Sequence, residues 1–278
     1  MNYEVITYAV EDRIATITLN RPEARNGYTT QMADEVGHAV TTAGSDDDVR
    51  VVILTGAGDN FCVGADLSGG GFSSAADDQG EAWVEPATRA ARPIWLLEKP
   101  IIAAIRGAAV GVGSTMILPA DFRIAANDSR FGFVFSQRGI YPEGGSVWFL
   151  PRLVGMGKAM DWMISGRIIP AEEALAAGMV SALYESEDVL DKAYELAREL
   201  ILKTAPVSTA VIRQSLYRMS AMDSPEATFE LDSKLIAGIA GSSDAIEGVM
   251  SFLERRPAEF TGLVSKDQPD YLPWHQES

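Results

Sequence analysis

Two stretches of this chain run an apolar segment into a glycine-rich turn: Leu54–Thr55–Gly56 leads into FCVGADL, and Ile105–Arg106–Gly107 leads into AAVGVGSTM. Small residues there let another molecule approach the backbone, and free N–H groups at a helix start point outward with the positive end of the dipole behind them. Two such loops facing each other could grip one carbonyl oxygen and stabilise the negative charge of an enolate. Either loop alone reads more readily as a tight turn that needs glycine for packing. A carboxylate, Glu143 in IYPEGG, stands just before a segment whose apolar side includes Val147, Phe149 and Leu150, with Tyr141 and Trp148 close by. If that surrounding excludes water, its pKa rises toward a value suited to proton transfer. From the residues alone, a helix-start carboxylate favoured by the dipole is an equally good reading.

Other chemistry finds less support. His38 and His275 have no Ser or Cys partner at a recognisable spacing, so a hydrolytic triad is not expected. Cys62 in an apolar setting reads as a small core residue, and no His, Cys or Asp cluster has metal-ligand spacing. Tyr141, Trp148, Met160, Trp162 and Met163 divide between pocket lining and core in a way that pattern does not resolve.

The elements that would position these residues begin with two strands, Tyr3–Val10 and Arg13–Leu19, joined at Glu11–Asp12 as a hairpin. Thr29 or Thr30 can cap a helix whose apolar face carries Met32, Val36, Ala39 and Val40 and which ends near Gly44. The continuous run Val51–Leu54 is a strand buried on both faces. Residues 68–80, dense in Gly, Ser and Asp, read as a mobile surface loop. A helix from about Glu81 to Leu97 follows, then a strand at Ile101–Ile105, a glycine-rich turn passing into an apolar helix over Gly107–Leu118, and a strand at Asp121–Ala125. Helices are expected at Gly144–Leu153, Lys158–Ser165, Ala171–Ala177, Val189–Thr204, Val207–Met219, Pro225–Ala240 and Ser243–Glu254, so the last third reads as all helix.

Composition narrows the function classes. The chain has 278 residues, 47% of them hydrophobic, and a net charge of −16 from 39 acidic against 23 basic residues. That charge repels a phosphate backbone, so nucleic acid is not an expected partner. The longest uncharged apolar stretch, Gly107–Ala120, is shorter than the ~20 residues that cross a bilayer, so no membrane span is expected. The N-terminus lacks a basic segment followed by an apolar block and reads as mature protein. One cysteine permits no internal disulfide, and a cytoplasmic location fits.

Taken together, FCVGADL, GAAVGVGSTM, FGFVFSQRGIYPEGG and GMGKAMDWMISGRIIPAEEALAAGMV resemble, in order and spacing, the sequence blocks of the enoyl-CoA hydratase/isomerase (crotonase) superfamily. The resemblance implies an α/β fold, a crotonase-like spiral of repeated ββα units over 1–200. It also implies a C-terminal helical region over 201–278, used in trimerisation and covering the site. The expected assembly is a homotrimer or a dimer of trimers. The implied substrate is an acyl-CoA thioester, with coenzyme A entering as part of the substrate and no permanently bound cofactor. By motif position the N–H groups of Ala65 and Val112 would hold the thioester oxygen. Many members have glycine where Val112 stands, so its isopropyl group must point away from the acyl chain. Ala24, Arg25, Val63 and Asp66 would lie along the adenine and pantetheine, with Arg25 and Lys266 offering positive charge to the phosphates.

The family's two-carboxylate hydratases carry glutamates at positions that align with Thr115 and Phe135, so both are missing here. Glu143 aligns instead with the position where several isomerases and aromatic dehalogenases place their working carboxylate. The resemblance therefore implies an acyl-CoA enzyme of isomerase/hydratase type with Glu143 as general acid/base. One-carboxylate hydration with a substrate-held water, attack by Glu143 on an aromatic thioester, and a catalytically silent CoA-binding or scaffolding homologue stand as alternatives.

Overall fold

In a computed structural model, residues 2–66 and 83–275 are described. The loop expected at 68–80 and the first residues of the helix expected from Glu81 lie outside them.

The chain opens with β1 (Ile6–Glu11) and β2 (Ile14–Leu19), antiparallel and in register from Ile6 opposite Leu19 to Glu11 opposite Ile14. Asp12 and Arg13 make the tight turn with φ of 51° and 66°. Helix α1 (Thr30–Ser45) follows, and the Thr29 side chain accepts from the Met32 N–H at 3.1 Å, as its sequence position suggested. Strand β3 (Val51–Gly56) then pairs parallel with β2, β4 (Ile101–Ile105) with β3, and β6 (Phe122–Ala126) with β4. With β9 (Ala182–Tyr184) at the far edge, the sheet order is β1-β2-β3-β4-β6-β9.

Alternation along these strands divides the interior in two. Val52, Leu54 and Ile105 point into the larger core with Met32, Val36 and Val40 of α1. Val51, Ile53, Ile102 and Ile124 point to the other face, which α6 (Val189–Lys203) covers with Val189, Ala193 and Ala197. Burial on both faces explains why the strands read as continuous apolar runs.

After each of the long strands the chain turns into a second, narrower layer. Tyr28 follows β2 and bridges Ala65; Cys62 follows β3 and bridges Ala109. Strand β5 (Ala108–Val110) follows β4 and pairs with β7 (Arg130–Gly132), which follows β6, while β8 (Ile168–Pro170) completes the layer. This repeated step from long strand to short strand makes the spiral.

Here the sequence expectations need correction. Ala108–Val110 is a strand, not part of a helix, because Cys62 on one side and β7 on the other supply its hydrogen-bond partners. Only the single turn α3 (Val112–Thr115) is helical after it. The short strands β8 and β9 interrupt the helices expected from residue 144 onward, while beyond β9 the described residues contain helices and no strand, as expected for the last third. Helix α2 (Pro86–Leu96) starts at Pro86, with Glu85 as its cap. The two helices expected over 144–165 are both present, numbered together as α4 (Ser146–Ser165) and separated by a break at Gly155, whose φ of 77° and ψ of 157° are not helical. Of the apolar side expected at its start only Leu150 is fully buried; Val147 is 63% exposed.

Short α5 (Ala171–Ala176) precedes β9, and α7 (Pro206–Met219), α8 (Glu226–Gly238) and α9 (Ser243–Glu254) follow α6. Helix α7 docks on the end of α2 through two buried side chains. The Arg213 guanidinium pairs with Asp121 at 2.8 Å and donates to the carbonyls of Trp95 and Ile94, and the Gln214 amide donates to Trp95 and Leu97. These donors satisfy carbonyls that a helix end leaves open. Beyond this point Phe229, Ile236, Phe252 and Leu253 on α8 and α9 face outward. Among the described residues no helix is long and apolar enough to cross a membrane.

Candidate functional site

The two glycine loops meet at the C-terminal ends of β3 and β4. Cys62 donates to the Ala108 carbonyl at 3.0 Å and accepts from the Val110 N–H at 2.9 Å, which lays the 62–65 segment along 108–112. The approach is close enough to demand glycine. A Cβ on Gly113 would sit 2.3 Å from the Cys62 carbonyl oxygen, and one on Gly64 would sit 3.1 Å from that of Val110. On its other side the segment is held by Tyr28, which donates its N–H to Gly64 and accepts from Asp66. With these bonds made, the N–H groups of Ala65 and Val112 donate to no protein acceptor among the described residues. One expectation changes: α3 is a single turn, so the N–H of Val112 acts with little helix dipole behind it.

Glu143 reaches the same place from the turn before α4. Its Oε1 accepts from the Thr115 hydroxyl at 2.7 Å, while Oε2 is shielded from solvent and has no partner among the described residues. Burial pushes its pKa up to about 7, against the lowering effect of the Thr115 hydrogen bond and with help from the negative charge of Glu85. Thus Thr115, at the position of a hydratase glutamate in the family pattern, serves here as a donor to the carboxylate. The second such position, Phe135, is in the core.

The remaining candidates are placed as follows. Ala24 and Asp66 are neighbours across Gly27, since a Cβ there would lie 3.2 Å from the Ala24 carbonyl and 3.4 Å from the Asp66 Cβ. Arg25 is exposed with φ of 52°, and Val63 is half-buried beside the first loop. Asp66 pairs with Arg21 at 2.9 Å. Lys266 does not join this group: it pairs with Asp47 at 3.5 Å, in the turn that enters β3, at the opposite end of the sheet. Tyr141 and Met160 are exposed and Trp162 is core, which resolves part of the aromatic and methionine set. His38 contacts the Tyr3 hydroxyl at 2.9 Å and His275 lies 3.2 Å from Glu98, both outside the site. Among the described residues no group of His, Cys, Asp and Glu could hold a metal.

Three residues that sequence reasoning missed shape the site. Asn26, fully buried, accepts from the Arg21 N–H at 2.9 Å and donates to the carbonyls of Ala57 and Asn60 at 2.9 and 2.8 Å. It pins the 20–27 loop to the turn after β3, and the Asn-Gly pair of NRPEARNG was its signal. Tyr28 packs beside Cys62 and Glu143, its pKa raised well above the usual value by burial and then by those neighbours. Glu85 caps α2 and also accepts from the Gly144 N–H at 2.9 Å. Its signal was a cap residue directly ahead of a proline at the first helical position.

Comparison with known proteins gives one consistent answer. The enoyl-CoA hydratase/isomerase family model matches residues 9–263. The chain is 36% identical over 250 residues to enoyl-CoA hydratase ACTT3 of Alternaria alternata, covering 90% of this chain and 83% of that one. It is 34% identical over 264 residues to 1,2-epoxyphenylacetyl-CoA isomerase of Escherichia coli, covering 93% and 99%. Among solved structures, an enoyl-CoA hydratase from Bacillus anthracis superposes with a TM-score of 0.83 at 28% identity, covering 93% of this chain and 100% of that one.

Proposed function

Because the chain belongs to the enoyl-CoA hydratase/isomerase family, whose substrates are acyl-CoA thioesters, we propose that it is a double-bond isomerase working with one carboxylate. The Ala65 and Val112 N–H groups hold the thioester oxygen, each contributing about 2.7–4 kcal/mol of transition-state stabilisation. Glu143 removes a proton alpha or gamma to the carbonyl, the oxygen carries the dienolate charge, and the same carboxyl returns the proton to another carbon. Ala24, Arg25, Val63 and Asp66 lie along the coenzyme A portion, which enters only as part of the substrate.

The observation that carries this reading is the state of the Glu143 carboxyl. One oxygen is held by Thr115 and the other is shielded and without a partner among the described residues, and a pKa of about 7 lets it both accept and return a proton near neutral pH. Among the described residues two-carboxylate hydration lacks its second group: the other carboxylate near Glu143 is Glu85, whose oxygens already accept from the N–H groups of Ala87, Thr88 and Gly144. The relatives carry both names, hydratase for the Alternaria protein and isomerase for the Escherichia coli one.

The same reading assigns the outward apolar residues of α8 and α9, Phe229, Ile236, Phe252 and Leu253, to contacts between copies in a trimer or dimer of trimers. A monomeric mass by light scattering would refute that assignment. For the reaction, a panel of 2-enoyl-, 3-enoyl- and aromatic acyl-CoAs is incubated in heavy water. Deuterium entering alpha or gamma to the thioester, together with migration of the double bond, is the expected result. Stoichiometric 3-hydroxyacyl-CoA without migration would make the protein a hydratase. Binding without exchange across the panel would leave a silent CoA-binding homologue.

A further inference from the structure

We propose that Glu85 is a positioning residue for Glu143: its carboxylate ties the turn carrying Glu143 to the start of α2, and its charge sets how readily Glu143 takes up a proton. The proposal rests on the reading of Glu143 as the proton-transfer group.

The geometry comes first. Glu85 is the N-cap of α2, with Oε2 accepting from the Ala87 N–H at 2.7 Å and Oε1 from the Thr88 N–H at 2.7 Å and from the Thr88 hydroxyl. A cap needs no more than this. Yet Oε1 also accepts from the Gly144 N–H at 2.9 Å, a bond that leaves α2 and fastens the residue next to Glu143, 59 positions along the chain from Glu85. Gly144 and Gly145 both have positive φ, 61° and 69°, so the turn is held in a conformation that this bond helps to fix. A Cβ on Gly144 would meet Ala87 at 3.5 Å and the Thr115 hydroxyl oxygen at 3.6 Å, which shows the turn pressed between α2 and α3.

The chemistry follows from the donors. Every partner of Glu85 is an N–H or O–H, the arrangement suited to an ionised carboxyl, which can only accept. A fixed negative charge one residue from Glu143 disfavours a second one. The groups that face Glu143 are Glu85 from the start of α2, Thr115 from α3, Tyr28 from the loop before α1 and Cys62 after β3. Of these, Glu85 is the carboxylate that acts on it, and among the described residues no lysine or arginine pairs with Glu143.

The test uses Glu85→Gln and Glu85→Ser in the full-length protein. Serine keeps an acceptor for the α2 cap while removing the charge and the reach to Gly144, so it serves where glutamine disturbs folding. The Glu143 titration is read directly from the carboxyl band in infrared difference spectra, assigned by subtracting Glu143→Gln. The acid limb of kcat/KM is read in parallel on an active thioester. The expected result is a Glu143 midpoint lower by about 0.5–1 pH unit in both variants, with the acid limb moving by the same amount. At pH 6 the activity, as a fraction of its plateau, then rises about three- to fivefold. An unmoved midpoint in a folded variant overturns the proposal, even if the variant is less stable, because a purely structural cap would change stability without changing the titration. Should no thioester turn over, the infrared midpoint still decides the role of Glu85, while the proposed function fails separately.

Discussion

Replacing Glu143 with glutamine tests the site without needing a substrate, because the pKa of a buried carboxyl is also a statement about stability. Unfolded, this carboxyl titrates at its ordinary value of 4.5; folded, it titrates at about 7, chiefly because burial penalises the charge. The stability that the folded state derives from this group is therefore fully present below pH 4.5 and is lost as pH rises to 7. At 1.36 kcal/mol per unit, the whole shift is worth about 3 kcal/mol. Glutamine is nearly isosteric, can keep an acceptor for Thr115, and cannot ionise. The difference in unfolding free energy between Glu143→Gln and the parent should thus be small near pH 5 and should grow in favour of the variant until about pH 7.5. Since the sequence pI is about 4.5, urea titrations are best run from pH 5.5 to 8.5, a range that captures about 2 kcal/mol of the change. Subtraction removes every other titrating group. Turnover should vanish in the variant. A stability difference that stays flat across this range would refute the claim that Glu143 sits in a dry site, and with it the basis for proton transfer at neutral pH.

Thr115→Val removes the one hydrogen bond that favours the charged form of Glu143. Its pKa should rise further, and the acid limb of kcat/KM should move to higher pH; a limb moving to lower pH would contradict the assigned partner. Asn26→Asp keeps the shape but aims a carboxylate at the carbonyls of Ala57 and Asn60, so chemical denaturation should register a loss of about 3 kcal/mol or more. Gly113→Ala drives a methyl group to within 2.3 Å of the Cys62 carbonyl oxygen, whereas a methyl on Gly157 meets nothing within 4 Å. Melting curves should show the first destabilised by at least ~2 kcal/mol and the second unchanged or raised by up to ~1 kcal/mol; equal effects would mean that the two loops do not touch as described.

The limits of sequence reading are visible in particular elements. The long strands announced themselves because burial on both faces makes them continuously apolar, and Thr29 announced α1 because a cap has a side-chain signature. The three-residue strands β5, β7 and β8 carry no period at all. Ala108–Val110 is extended because Cys62 and Phe131 stand on either side of Ala109, a relation between positions 62, 109 and 131 that no local window contains. The apparent helix over 107–118 was an apolar segment whose neighbours, not its composition, decided its state. The break of α4 at Gly155 was legible, by contrast, because the helical patterns stop at Leu153 and resume at Lys158 with Gly155 and Gly157 between them.

The candidate site divides along the same line. The loops that carry the proposed backbone donors were legible from their glycines, because a Cβ at Gly64 or Gly113 would press on the facing segment and only one residue type relieves that. Its carboxylate was legible only as a position. What makes Glu143 chemically distinctive is supplied by residues far away in sequence: Thr115 holds one oxygen, Glu85 fastens the adjacent amide, and Tyr28 and Cys62 help to close the space around it. None of these has a motif of its own. The loss of the two hydratase glutamates reads from sequence as a subtraction, but the threonine at the first position is a gain: a hydroxyl there can donate to Glu143 and leave a single oxygen free, where a second carboxylate would have repelled it. A chain with glutamate at 115 and Glu143 retained would face that repulsion directly. Thr115→Glu should therefore raise the Glu143 titration midpoint above that of the parent protein, as read from the infrared carboxyl band, and a lowered midpoint would show that the two side chains do not share the pocket.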